Sequence, residues 1–424
     1  MQKIVHLTLA AFLLFGLAAC TKPAQASELK SDKPRITSPA TNQEDVSTLV
    51  QGNDAFALDL YKNLKNAEGN LFYSPYSISE ALAMTYGGAR TETETQMAST
   101  LKFQLPQSRS HPAFNSLDLA LASRGQGAQG KDGKGFRLHV VNAIWGQQGF
   151  SFLPSYLDLL SQNYGAGLRI LDFIKSAEPS RQTINQWVSD QTEAKIKDLL
   201  PPGSINADTR LVLTNAIYFN AAWASQFKPE ATASGKFNLL NGSQIDIPFM
   251  KHTSSYGYVK GDNYQAVELP YDGRELSMVV MMPNADAFRG FETGLNSNQV
   301  KGIISAIKNQ QVELWMPKFK IESEFSLKKE LSAMGMPVAF SDAADFSGMD
   351  GKKDLTIMDV VHKAFVSVDE TGTEAAAATG VIVGITSIPA EPLKVTIDRP
   401  FMFLIRDIKT GTILFIGRVV NPGS

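Results

Sequence analysis

Hydrophobic positions recur along this chain at two periods, and the two are interleaved. Phe56, Leu60, Tyr61 and Leu64 share one face at helical spacing, with Asn53 or Asp54 placed to cap that helix. Ser74-Pro75 marks a helix start ahead of Ser77–Tyr86, and Phe325–Met334 reads as an amphipathic helix stopped by Gly335. Between these lie strand-like runs, Arg137–Trp145 and Leu211–Phe219. Val267–Pro270 and Leu276–Met282 form a strand pair joined through Asp272-Gly273, and Phe401–Ile405 with Thr412–Val419 a hairpin around Lys409-Thr410-Gly411. The length of 424 residues would allow two or three domains, yet residues 49–424 contain no linker-like stretch and no repeat. One large α+β domain is predicted there.

The segment Val366–Pro389 departs from both periods. It opens as a strand at Phe365–Val368, and passes through Thr371-Gly372-Thr373, where the backbone can turn. It continues through small residues in which only Glu374 is large, and ends in the apolar run Val381–Ile388 before Pro389 and Pro392. Four consecutive alanines carry little strand propensity. If the segment were extended, Thr373, Ala375, Ala377, Thr379, Val381 and Val383 would share one face, with nothing charged and nothing larger than valine. Glu374 would lie on the other face. The segment reads as a loop able to enter a sheet as a strand without burying a charge.

The N-terminus carries an address. Lys3 precedes an apolar core, Leu7–Ala18, of signal-peptide length and too short to span a membrane comfortably. It ends in Leu17-Ala18-Ala19-Cys20, which resembles a bacterial lipoprotein box. The resemblance implies cleavage before Cys20 and lipid attachment there. Cys20 is the single cysteine, so no internal disulfide can form. Thr21 is not an acidic retention signal, which points to a cell-envelope, outer-membrane or cell-surface position. Residues 20–48 are polar and proline-bearing, and are expected to form a disordered tether.

Composition adds exclusions. The chain is 43% hydrophobic and 19% charged with a net charge of −2, which gives no support for a nucleic-acid partner. There is no G-x-S-x-G, no H-E-x-x-H and no metal-spaced histidine set, so no catalysis, cofactor or metal is expected. Gly125–Asp132 matches G-x-G-x-x-G, but it follows a helix-like stretch, precedes a strand and lacks Ser or Thr after Lys131, the reverse of a phosphate cradle. Lys131, Lys134 and Arg137 read as a solvated face.

Several motifs, taken in order, resemble the serpin family from about Leu49 to Pro422. They are Asn70–Ile78, Leu213–Phe219 with Trp223, Met316–Phe319, Ala344–Met349, His362–Phe365, Glu370–Thr379 and Asp398–Phe401. Asn220-Ala221-Ala222 departs from the family pattern, where a basic residue and a glycine often precede the tryptophan. The resemblance implies a serpin fold with three β-sheets, about eight or nine helices and an exposed reactive loop in a metastable native state. It implies a monomer that is prone to polymerise on heating.

It further implies a suicide-substrate inhibitor of proteases. Counting from the hinge Glu370, Gly372, Thr373, Glu374, Ala375, Ala376, Ala377, Ala378 and Thr379 places the scissile bond at Thr386–Ser387, with shifts of a residue or two left open. A small β-branched residue there suits elastase-like and subtilisin-like serine proteases, with papain-like cysteine proteases next. The absence of Arg or Lys between Lys363 and Lys394 disfavours a trypsin-like target. Ser74, Ser77, Asn215 and His362 are implied as a gate for insertion, and Glu370 with Lys318 as an ion pair beside Trp223. A non-inhibitory serpin-fold binding protein is the alternative.

Overall fold

The computed structural model describes residues 24–130, 132–373 and 391–424. In chain order, its first half runs β1 (Ser27–Leu29), α1 (Gln43–Leu64), β2 (Leu71–Tyr73), α2 (Pro75–Tyr86), α3 (Thr91–Leu101), α4 (Gln107–Ala122), β3 (Arg137–Gln147), α5 (Pro154–Tyr164), β4 (Leu168–Leu171), α6 (Ala177–Gln191) and β5 (Leu211–Ala222). There follow β6 (Ala233–Asn238), β7 (Gln244–Lys260), β8 (Tyr264–Pro270), β9 (Leu276–Pro283), α7 (Phe288–Gly294), α8 (Ser297–Ala306), β10 (Lys308–Pro317), β11 (Phe319–Ser326) and α9 (Lys328–Met334). The chain closes with α10 (Ser347–Asp350), β12 (Ile357–Val368), β13 (Gly372–Thr373), β14 (Leu393–Thr396), β15 (Phe401–Asp407) and β16 (Ile413–Val419).

The strands form two hydrogen-bonded networks. The central sheet has the order β1-β4-β3-β5-β13-β12-β11. The other runs β14-β10-β7-β8-β9-β15-β16-β2, with β6 on β7. Two of the three expected sheets are thus joined, because the 17-residue β7 is long enough to pair β6 at its start, β10 along its middle from Phe249 to Tyr258 and β8 at its end. Ten α-helices are present among the described residues, three of them seven residues or shorter.

The largest core lies between one face of the central sheet, helices α1 and α2, and the second network. Ile217, Phe219 and Ala221 of β5 meet Phe72, Phe403 and Phe415 there. Trp145, Ile184, Val188, Val212 and Val361 form a separate core under α6 on the sheet's other face. Every residue of β5 is therefore buried, the polar Thr214, Asn215 and Asn220 included.

Three expectations need correction. Asn53 and Asp54 do not cap α1, which starts at Gln43 with Asn42 as its cap. They sit inside the helix as buried acceptors, Asn53 from the Ser79 hydroxyl at 2.7 Å and Asp54 from the Ile413 amide at 3.1 Å. Cap-type residues were there for tertiary contacts. Phe325 is a strand residue, because the alternation of β11 carries through it to pair with His362; α9 begins only at Lys328.

The third correction is the tether. Within the expected 20–48 stretch, the described part from Ala24 onward lies on the body. β1 pairs antiparallel with β4, and Arg35 binds Asp118 at 2.6 Å and Asn115 at 2.9 Å. Low hydrophobicity barred a core but not an edge strand, whose ladder bonds need no apolar side chain.

Arg418 closes the C-terminal end of α1. Its guanidinium donates to the carbonyls of Lys65 (2.8 Å), Ala67 (2.6 Å) and Gly69 (2.8 Å) and to the Glu292 carboxylate (2.9 Å). An ammonium cannot reproduce that fork. Arg418→Lys should lower the urea midpoint of unfolding by the equivalent of about 2 kcal/mol or more, since buried hydrogen bonds to charged groups are lost. An unchanged midpoint would refute the reading.

Candidate functional site

The loop segment singled out in the sequence springs from the top of the central sheet. β12 is followed by a turn in which the Asp369 carboxylate accepts from the Thr371 amide (3.0 Å) and hydroxyl (2.9 Å). The two residues of β13 then lie between β5 and β12, with Gly372 opposite Ala222, Thr373 opposite Ala221, and Val368 opposite Thr373. Glycine is demanded at 372, because a Cβ there would lie 2.2 Å from the Ala221 carbonyl oxygen. Small Ala221 and Ala222 line the same crowded point. The departure from the family pattern is accommodated by close backbone contact.

Below β13, β5 and β12 pair directly and in parallel, with Leu213 opposite Val360, Asn215 opposite His362 and Ile217 opposite Ala364. The two strands are parted at one end and joined below it.

Several residues hold the parted end. Lys318 Nζ lies 2.8 Å from the Glu370 carboxylate, which also accepts from the Thr232 hydroxyl at 2.7 Å. Burial acts to raise the Glu370 pKa, but the hydrogen bonds from Lys318 and Thr232 outweigh it and hold the carboxyl below its ordinary value. The Trp223 indole N–H donates to the Asp369 carbonyl at 3.0 Å, and its ring stacks on Tyr271 at 4.7 Å. Tyr271 in turn hydrogen-bonds Thr373 at 2.9 Å.

The residues expected to form the gate converge on a single row across the sheet. Asn142 of β3 pairs with Asn215 of β5, which pairs with His362 of β12, which pairs with Phe325 of β11. The row lies over the start of α2, where Ser74 caps the helix by accepting from the Ser77 amide at 3.2 Å. The Ser74 amide donates to His362 Nε2 at 3.1 Å. That fixes Nε2 as the acceptor, so Nδ1 carries the proton and donates it to the Asn215 side-chain oxygen. The Asn215 amide donates to the Ser77 hydroxyl and to Asn142. All five polar residues are fixed by one another.

Sequence reasoning missed Asn142, Glu80, Thr232 and Tyr271. Asn142 donates to the buried Glu80 carboxylate at 2.9 Å. Burial, and then the nearby Asp118 charge, push the Glu80 pKa well above its ordinary value. The available signal was a polar residue interrupting Val140-Val141-Asn142-Ala143-Ile144. Glu374–Thr379, Thr386, Ser387 and Cys20 lie outside the described residues.

The decoys resolve simply. The Gly125 amide donates to Glu275 (2.7 Å) and the Gln129 amide to Asp272 (2.8 Å), so that loop's donors already face carboxylates. Arg137 is paired with Asp132 at 2.6 Å.

Comparison with known proteins shows the family. The family profile described as "Serpin (serine protease inhibitor)" matches residues 51–422. An uncharacterized serpin-like protein of Thermococcus kodakarensis is 38% identical, over 88% of this chain and 86% of its own. The leukocyte elastase inhibitor of Homo sapiens is also 38% identical, over 88% of this chain and 99% of its own. The native-state structure of the thermophilic serpin tengpin superposes with a TM-score of 0.81 at 27% identity, covering 94% of this chain and all of tengpin. The chain belongs to the serpin family, and its fold is the serpin fold.

Burial lowers the His362 pKa to about 3, well under the ordinary 6.5. Between these values the unfolded chain binds a proton that native His362 does not, so His362 opposes folding increasingly as pH falls from about 6.5 toward 3. Its contribution is fully restored above 6.5. His362→Gln should flatten the fall of the thermal midpoint across that window relative to wild type. A parallel curve would show that His362 is not the group responsible.

Proposed function

We propose that this protein inhibits proteases as a suicide substrate: its loop is cleaved, the protease is held as an acyl-enzyme, and the loop inserts into the central sheet. The observation that carries this reading is β13, the first two residues of a strand already seated between β5 and β12. A strand continuing it would run antiparallel to β5, each residue onward matching one residue back. Thr379, seven on from Gly372, would come opposite Asn215, seven back from Ala222. The face that meets the main core would then carry Thr373, Ala375, Ala377 and Thr379, because Ala221, Phe219 and Ile217 point that way.

Insertion requires the row Asn142–Asn215–His362 to part. Its amide, hydroxyl and imidazole groups can exchange partners with an entering backbone, which apolar side chains could not do. The driving force is the new ladder: about a dozen bonds at roughly 1 kcal/mol each give on the order of ten kcal/mol. That rivals the whole stability of an ordinary domain, roughly 5–15 kcal/mol. Strand addition by serpin loops is an established example of such pairing.

The targets are elastase-like or subtilisin-like serine proteases, with papain-like enzymes next. The inhibition named for the human relative is directed at leukocyte elastase, and Thr386 suits the shallow pockets of such enzymes. The residues before Ala24 give the chain a lipid anchor at Cys20 in the cell envelope, at the outer membrane or cell surface.

Incubating the protein with elastase, subtilisin, papain and trypsin should give a denaturant-resistant complex with at least one of the first three, and a released peptide beginning at Ser387. Clean cleavage with no complex across the panel would favour a non-inhibitory binding role. Ala377→Pro should convert complex formation to simple cleavage, because proline removes a ladder donor from a central strand. Glu370→Lys should set two cations together at the parted end and hasten polymerisation on warming, read by native gels. Unchanged behaviour would remove the Lys318–Glu370 pair from the mechanism.

A further inference from the structure

We infer that residues 24–42 are a releasable strap that sets how far the body stands from the membrane, and that release is needed for an anchored molecule to trap a protease. The inference rests on the inhibitory and lipid-anchored reading above, and goes beyond it to the surface that faces the lipid.

The sheet register fixes two positions at one end of the molecule. β1 places Ser27 opposite Ile170 of β4, Ile170 lies opposite Gly146 of β3, and Gly146 lies opposite Leu211 of β5. The strap therefore joins the sheet in the row where β5 begins, three strands away, or roughly 15 Å at the usual strand spacing. By the same count Thr386, fourteen on from Gly372, would arrive level with Asp208, fourteen back from Ala222 and just beyond the start of β5. The parted end where β13 sits lies at the other end of β5, 12 residues long or roughly 36 Å away. Before cleavage the loop thus starts at the far end from the strap. After insertion the acylated residue would reach the strap's own end.

That end lies close to the lipid. Ala24 is hydrogen-bonded on α6, its carbonyl accepting from the Thr183 hydroxyl at 2.7 Å. It is only four residue steps from Cys20, a reach of about 14 Å at most. A protease domain of about 230 residues has a radius of gyration near 17 Å and so spans roughly 45 Å. It does not fit into that clearance. If the strap left the body as far as Asn42, 22 residues would span up to roughly 75 Å, and the conflict disappears.

The strap is built to let go. Its two largest aliphatic side chains, Leu29 and Ile36, are each 38% exposed. Its hold comes from the short β1 ladder, from hydrogen bonds such as those donated by Ser161 to the Lys33 carbonyl (2.6 Å) and by Asn115 to the Ile36 carbonyl (2.7 Å), and from ion pairs such as Lys33–Asp158 (2.7 Å) and Arg35–Asp118 (2.6 Å). Pairs of this kind are individually weak, and such segments open at low free energy without unfolding the rest.

A reversible lock tests this. Glu28 and Arg169 are opposed in the β1–β4 pair, at a separation suited to a disulfide. The double variant Glu28→Cys with Arg169→Cys is made in the lipidated full chain on phosphatidylethanolamine–phosphatidylglycerol vesicles, and in an unlipidated Cys20→Ser chain. Each is mixed with whichever protease of the panel the unlipidated parent traps. On vesicles, the oxidised lock should lose the covalent complex and be turned over as cleaved substrate, with the complex restored by reductant. In the unlipidated chain, lock and reduction should make no difference. Equal trapping on vesicles with the lock closed would overturn the inference. So would equal loss in both forms, which would assign the strap to insertion itself. If the unlipidated parent traps nothing, it is the inhibitory reading that fails, and this one falls with it.

Discussion

The structure depends on one seam, the parallel pairing of β5 with β12. Above it β13 already separates the strands; within it the polar row Asn142–Asn215–His362 holds them together over the capped start of α2. A fully apolar seam would be stronger by packing but would offer an entering backbone no partners. A polar row can be satisfied in either arrangement, provided every member has a partner in each. This is the property that the insertion proposed above would require of the sheet.

The surroundings serve that seam. Two separate cores pack against opposite faces of the sheet, so β5 and β12 are fixed by burial on both sides while the line between them carries only hydrogen bonds. The ion pair Lys318–Glu370 and the Trp223–Tyr271 stack hold the parted end at a defined depth. Glycine at 372 and alanines at 221 and 222 leave room for the third strand to start and no more. At the opposite edge, β1 adds a strand to the same sheet, so the N-terminal segment and the segment after β12 belong to one set of ladders.

Much of the fold was legible in the residues. Ser74-Pro75 marked α2, continuous or alternating apolar runs marked β3 and β5, and Asp272-Gly273 marked the β8–β9 connection. Of the site residues named by motif, Ser74, Ser77, Asn215 and His362 lie together in one row; Asn142 and Glu80 escaped because a lone polar residue in a strand or helix acquires meaning only from its neighbours in space. Asn53 and Asp54 misled for the converse reason: their cap chemistry was satisfied by Ser79 and Ile413, which are distant in sequence.

By itself the sequence determined the local elements, the capacity of the loop to lie in a sheet, and the small residues along its inward face, since these follow from period, side-chain volume and charge. Only the tertiary structure decided how far β13 is already seated, which polar groups form one row, and that residues 24–42 lie on the body. Those are matters of register between distant strands, and register is set by the packing of whole faces.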